Sequence, residues 1–271
     1  MRILELLQES FRLLLEQPKA FIPRLITTAL YSIYTVFAAK LAADALAIAS
    51  SQAGGQPDEG LLLGILFNAA ILIASMPILY LVDLFSYAMY PRIVADHKAG
   101  GKISLTAALK DALKAWRPVV WLGVVVFAMV LAVGAFSFAV SYISIVTGFE
   151  ALNILSVVIV VVALLAFSVA IFFVVPAAVL DGRGVKESFK ESMSLGMKHK
   201  VSLLKLNIIL MVLALVTLFS AFESSGSQAM AIASIVFYVL IRVLQAVVYT
   251  YLSVTNPLAY LSVRVNNDGK R

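Results

Sequence analysis

The chain has 271 residues, 62% of them hydrophobic and 13% charged, with a formal net charge of +6 and a mean hydropathy of +1.00. A soluble domain carries about 25% charged residues, so this composition excludes one. The absence of cysteine excludes disulfides, thiolate catalysis and thiol-bound metals.

Read from the N-terminus, MRILELLQESFRLLLEQ interrupts any signal-like apolar run with Glu5, Glu9 and Glu16. It predicts a retained amphipathic helix with Ile3, Leu7, Phe11 and Leu14 on one face. Six apolar spans follow, at 21–49, 61–90, 118–146, 152–178, 201–222 and 228–261. Each is long enough to cross the ~30 Å hydrocarbon core as a helix. Stretches such as VVWLGVVVFAMVLAVGAF are continuous rather than alternating, which argues against barrel strands. The expected class is therefore an all-α polytopic membrane protein.

Charge orients the spans. The loops after spans one, three and five carry Asp58, Glu59, Glu150 and Glu223 and are nearly free of Lys and Arg. The other side holds 19 of the 21 basic residues, among them Arg2, Arg12, Lys19, Arg24, Lys102, Lys110, Lys114, Arg183, Lys186, Lys190, Lys270 and Arg271. This asymmetry predicts that both termini are cytoplasmic. Trp116 and Trp121 bracket the start of span three, where amphipathic rings favour the headgroup level. Anionic lipid headgroups, rather than nucleic acid, are the simplest counter-charge for a basic face along a membrane.

One pattern recurs. Pro91, Pro176 and Pro257 lie 85 and 81 residues apart, each at the cytoplasmic end of a span. The first two are followed five residues later by Asp96 and Asp181, and then by an amphipathic segment. The proline is expected to end the span, Gly182 and Gly184 to permit the turn, and the aspartates to order it. In the second segment Leu105, Leu109, Leu113 and Trp116 align, with Ser104 placed as N-cap; in the third, Val185, Phe189, Met193 and Met197 align. Glu9-Ser10-Phe11-Arg12 echoes Glu187-Ser188-Phe189-Lys190. The unit is thus a cytoplasmic interfacial helix, a span, an outer loop and a span ending at proline. Three parallel copies occupy 1–91, 92–176 and 177–257, with a tail at 258–271, in a single membrane domain.

The run Pro-Ala-Ala-Val-Leu-Asp-Gly-Arg-Gly-Val leading into Glu-Ser-Phe-Lys-Glu-Ser-Met resembles the membrane domain fused to some bacterial glycerophosphodiester phosphodiesterases. It is similar also to stand-alone archaeal and bacterial relatives of that domain. The match is best over 170–205 and weaker over 88–120. The resemblance implies a prokaryotic plasma-membrane protein. It does not bring the phosphodiesterase activity, which belongs to a soluble barrel that this chain has no room for. Six spans in three parallel pairs also resemble mitochondrial carriers, an analogy of fold only. Those carriers place an acid and then a base soon after the proline, where this chain has Pro91-Arg-Ile-Val-Ala-Asp96.

No catalytic constellation stands out, no cofactor is implied, and His97 and His199 are too isolated for a metal site. The chain reads as a non-enzyme. The candidate ligand-binding or cavity residues are the ionisable groups within spans, Lys40, Asp44, Asp83 and Arg242, with Gln245, Asn68 and Tyr249 as polar lining. Arg242 lies about 10 Å deeper than Asp83 by helical rise, so Asp44 is the expected partner of Arg242 or Lys40. Two roles follow. One is a non-catalytic protein that interacts with lipid or a membrane partner through its basic surface helices. The other is a small transporter or channel for an anionic or amphiphilic solute along a pseudo-threefold axis.

Overall fold

The computed structural model of the chain describes residues 2–51, 59–219 and 228–268. Asp58, Glu223, Lys270, Arg271 and the end of the expected span 201–222 lie outside the described residues. No strand occurs among the described residues. Helix α1 (Ile3–Glu16) leads through a 3-10 turn at Pro18–Phe21 into α2 (Ile22–Ser51). There follow α3 (Glu59–Ala88), α4 (Tyr90–Lys98), α5 (Leu105–Lys114), α6 (Trp116–Thr147) and α7 (Ala151–Ile171). The chain continues with α8 (Val174–Asp181), α9 (Val185–Lys198), α10 (Lys200–Phe219) and α11 (Gln228–Asp268).

Among the described residues five segments are long and apolar enough to cross a membrane: Pro18–Ile48, Leu62–Lys98, Trp116–Thr147, Ala151–Asp181 and Phe237–Arg264. Their outward side chains are far from buried; Phe67 is 68% exposed, Ile73 72%, Phe138 76% and Ile145 80%. A surface of that kind requires an apolar solvent.

The long helices close a ring. Among the described residues α2 packs on α3, α3 on α6, α6 on α7, α7 on α10, α10 on α11, and α11 back on α2. Each seam between successive pairs carries a polar tie. The Tyr80 hydroxyl donates to the Gly123 carbonyl (3.1 Å), Asn207 Nδ2 to Ser168 Oγ (2.9 Å), and Arg242 Nη2 to Thr35 Oγ1 (3.0 Å). Interhelical hydrogen bonds of this kind supply specificity where burial from lipid gives no driving force.

One end of the ring is plugged. Helices α4 and α8 and the last third of α11 touch one another. They supply the most completely buried side chains, Tyr90, Ile93, Phe173, Val174, Leu258 and Tyr260 among them. Here the expectation that proline ends a span is corrected. Pro91 stands in the first turn of α4, Pro176 in the first turn of α8, and α11 runs unbroken through Pro257. Proline lacks only an amide that a first turn leaves unpaired anyway, so it restarts a helix at a new angle.

The break between α7 and α8 has its loose backbone groups answered from elsewhere in the chain. Ser192 Oγ accepts from the Phe173 amide (2.9 Å) and donates to the Ala170 carbonyl (2.7 Å), while Asn256 Nδ2 donates to the Phe172 carbonyl. Gly182 closes α8 with φ 64°, a left-handed value that favours glycine. Gly184 has φ −66° and ψ 177°, extended backbone open to any residue, so only one of the two expected turn glycines is needed.

Candidate functional site

The three short surface helices pack on the plugged end. Helix α5 lies against α3 and α4, α9 against α7 and α8, and α1 against α11. The residues that seat α5 and α9 are mostly small, Ala108 and Ala112 in the first and Ser188, Ser192 and Gly196 beside Leu195 in the second, whereas α1 seats on Ser10 together with Leu6, Leu13 and Leu14. The apolar stripes noted in the sequence are divided: Leu14 is buried and Ile3, Leu7, Leu105 and Phe189 pack on the core, while the remaining large residues face outward. Phe11 is 58% exposed, Leu113 49%, Met193 57% and Met197 60%. Helices α5 and α9 thus have three faces: mostly small residues on the bundle, large apolar residues rotated roughly 100° around the axis, and charge beyond them. Lys102, Lys110, Lys114, Lys186, Lys190 and Lys198 are all exposed.

Hydrogen bonds fix these helices in place. Ser104 caps α5 by accepting from the Ala107 amide (3.3 Å). Arg92 bridges Asp96 (2.8 Å) and Asp111 (3.2 Å), joining α4 to α5, and Asp96 accepts from the Ser104 amide (3.5 Å). Asp181 is tied to Arg264, to the Tyr260 hydroxyl (2.7 Å) and to Arg183 (3.2 Å), and Arg183 also reaches Glu191 of α9 (2.9 Å). Burial works against the Arg183 charge, but Glu191, Tyr260 and Asp181 more than offset it, and its pKa is raised. Both aspartates therefore do more than order a turn. They tie the surface helices and the C-terminal segment to the plug.

Inside the spans the candidates separate. Asp83 pairs with Arg24 of α2, whose Nε also donates to Ser253 Oγ of α11 (3.0 Å) and whose guanidinium lies 5.7 Å from the Tyr87 ring centre. Sequence reasoning missed Arg24 by counting it with the cytoplasmic basic residues. The signal was available, because antiparallel neighbours bring the start of span one beside the end of span two.

Arg242 is held by neutral groups: Thr35, the Gln245 side-chain oxygen (3.0 Å) and the Tyr238 ring (4.9 Å to its centre). No carboxylate pairs with it among the described residues. The partner suggested by depth, Asp44, is corrected on this point. Arg242 reaches α2 at Thr35, nine residues and about 13 Å short of Asp44 along the helix. Lys40 and Asp44 are both exposed, and no ion pair joins them among the described residues. Asn68 is exposed and Tyr249 half-buried. His97 lies 3.9 Å from Glu16, and no group of three metal-ligating side chains occurs among the described residues.

The described residues are all-helical, with five segments suited to a membrane, a plugged ring, and an ion-paired and a neutrally held arginine within it. No family model, curated protein or solved structure matches the chain.

Proposed function

We propose that the chain is a non-catalytic integral membrane protein of a prokaryotic plasma membrane that gathers anionic lipid around its cytoplasmic rim through three interfacial helices. In this reading α10 completes a set of six spans, arranged as three parallel pairs, with both termini in the cytoplasm. The ring order supports it, as does the way α1, α5 and α9 each seat on the end of one pair. Corresponding positions support it too: Ser10, Ala108 and Ser188 are fully buried, as are Ala112 and Ser192, with Leu14 nearly so, and Asp111 and Glu191 each receive an arginine. The resemblance to the membrane domain of glycerophosphodiester phosphodiesterases belongs to the same proposal.

The observation that carries the function is the three-faced surface helix. On α5 and α9, exposed apolar stripes beside exposed lysines match the boundary between acyl chains and anionic headgroups, at about 1 kcal/mol per lysine. Electron spin resonance with spin-labelled lipids tests it in reconstituted vesicles. Phosphatidylglycerol should be held at the protein surface in preference to phosphatidylcholine, and neutralising two lysines on each of α5 and α9 should remove the preference. Equal retention of both lipids by the unaltered protein would dismiss the reading.

A second reading, transport along the ring axis, is favoured by two observations. From Thr28 to Ile48 no residue of α2 is buried, so no face of that helix is tightly packed beyond the plug. Arg242, held only by neutral groups, stands in that half. Loss of solute flux in Arg242→Leu liposomes would support this role.

A further inference from the structure

Helix α5 does not sit on its pair as closely as α9 does. In α9, Gly196 lies so near α7 that a Cβ there would meet the Val169 carbonyl oxygen at 2.5 Å. Gly196 stands eight residues past Ser188; the same offset from Ala108 reaches Trp116, which is 51% exposed. Between α5 and the α2–α3 pair a groove of about 540 Å³ remains, lined by Ile26 and Thr27, by the end of α3 and the residue after it from Ile78 to Met89, and by Leu109 and Leu113.

The groove has the dimensions and polarity of an acyl-chain site. From Ile78 to Met89 the helical rise is about 16 Å, equal to one leaflet of a ~30 Å hydrocarbon core. Its walls are apolar almost throughout. At the cytoplasmic end Ser86 is 6% exposed, and its hydroxyl has no hydrogen-bond partner among the described residues.

The mouth is basic. Leu109 and Leu113 also line an adjoining depression shared with Lys110 and Lys114. Lys114 is engaged by Asp111 (3.1 Å), and Asp111 is already bound by Arg92. Lys110 is exposed and has no carboxylate partner among the described residues. A chain-length apolar slot ending at an unneutralised ammonium fits one amphiphile class. We propose that this groove holds a single inner-leaflet anionic phospholipid, one acyl chain between α5 and α2–α3 and its phosphate at Lys110. The site deepens the reading of a lipid-gathering rim and rests on it, since it gives one of the three surface helices a bound lipid rather than an annular one.

Trp116 continues the Leu109–Leu113 stripe and reports on the site directly. In a Trp121→Phe background it is the only tryptophan. Its fluorescence is measured in vesicles with brominated phosphatidylglycerol or brominated phosphatidylcholine at equal mole fraction. Quenching by the anionic lipid is expected to be favoured about fivefold by one lysine. Lys110→Gln should abolish that preference. Val82→Phe, which narrows the slot while leaving every lysine in place, should reduce it as well. Lys186→Gln with Lys190→Gln on α9 should leave it unchanged. The proposal is overturned if Lys110→Gln or Val82→Phe has no effect, or if the α9 pair lowers the preference as much as Lys110→Gln. Those outcomes leave the wider reading standing when the whole protein still prefers anionic lipid; absence of any preference in the spin-label experiment removes both.

Discussion

Replacing Asp83 with asparagine leaves Arg24 charged inside the ring with its counter-ion gone. The Arg24 side chain is 12% exposed and that of Asp83 31%, so water screens the pair only in part. Unit charges ~4 Å apart attract by about 4 kcal/mol at an effective dielectric constant of 20. The asparagine oxygen can still accept one hydrogen bond, and Ser253 still accepts another, which returns a portion of that energy. Breaking one side of a buried pair costs about 3–5 kcal/mol, and the lower end applies here because of the retained acceptors. In a chain of this size about 3 kcal/mol corresponds to a fall in Tm of roughly 5 °C. Size-exclusion chromatography after heating in detergent would measure it. Arg24→Leu should cost a similar amount by stranding the carboxylate. The double variant Arg24→Leu/Asp83→Leu should recover most of the loss, because two apolar side chains need no partner in this setting. A double variant no more stable than either single one would refute the argument that the pair is held for mutual neutralisation.

Gly196→Ala should destabilise by about 1–3 kcal/mol, because the new methyl group meets a carbonyl oxygen rather than a flexible side chain; the same heating assay reads it. Gly64→Ala, where a Cβ meets nothing within 4 Å, should be neutral or stabilising by up to ~1 kcal/mol and serves as the control. The chain contains no cysteine, so Lys110→Cys and Lys190→Cys each introduce a unique thiol. An impermeant maleimide applied to intact cells should leave both unlabelled until the membrane is opened, and labelling from outside would remove the proposed orientation.

Much of the architecture was legible because lipid imposes simple rules. A backbone without water partners must be helical, so continuous apolar runs translate directly into helices, and α2, α3, α6 and α7 begin within about two residues of their expected starts. Ser104 was legible as a cap because capping is a local contact between neighbouring residues. The surface helices were legible as amphipathic but not in their orientation. The Leu109–Leu113 and Met193–Met197 stripes look like packing faces by the logic of soluble proteins. In lipid the large apolar residues are already solvated, and the small ones pack on the bundle.

The sequence alone determined the helical class, the number of residues in each apolar run, the recurring prolines and the one-sided distribution of charge, since each depends on composition or on contacts within a few residues. Only the tertiary structure decided that Asp83 meets Arg24, that Arg242 is held at Thr35, and that the three post-proline segments plug one end of the ring. The physical reason is distance along the chain. Arg24 and Asp83 are 59 residues apart, Thr35 and Arg242 207. Which of several polar groups meet across such separations depends on helix order and rotation, and both are set by packing the whole ring at once.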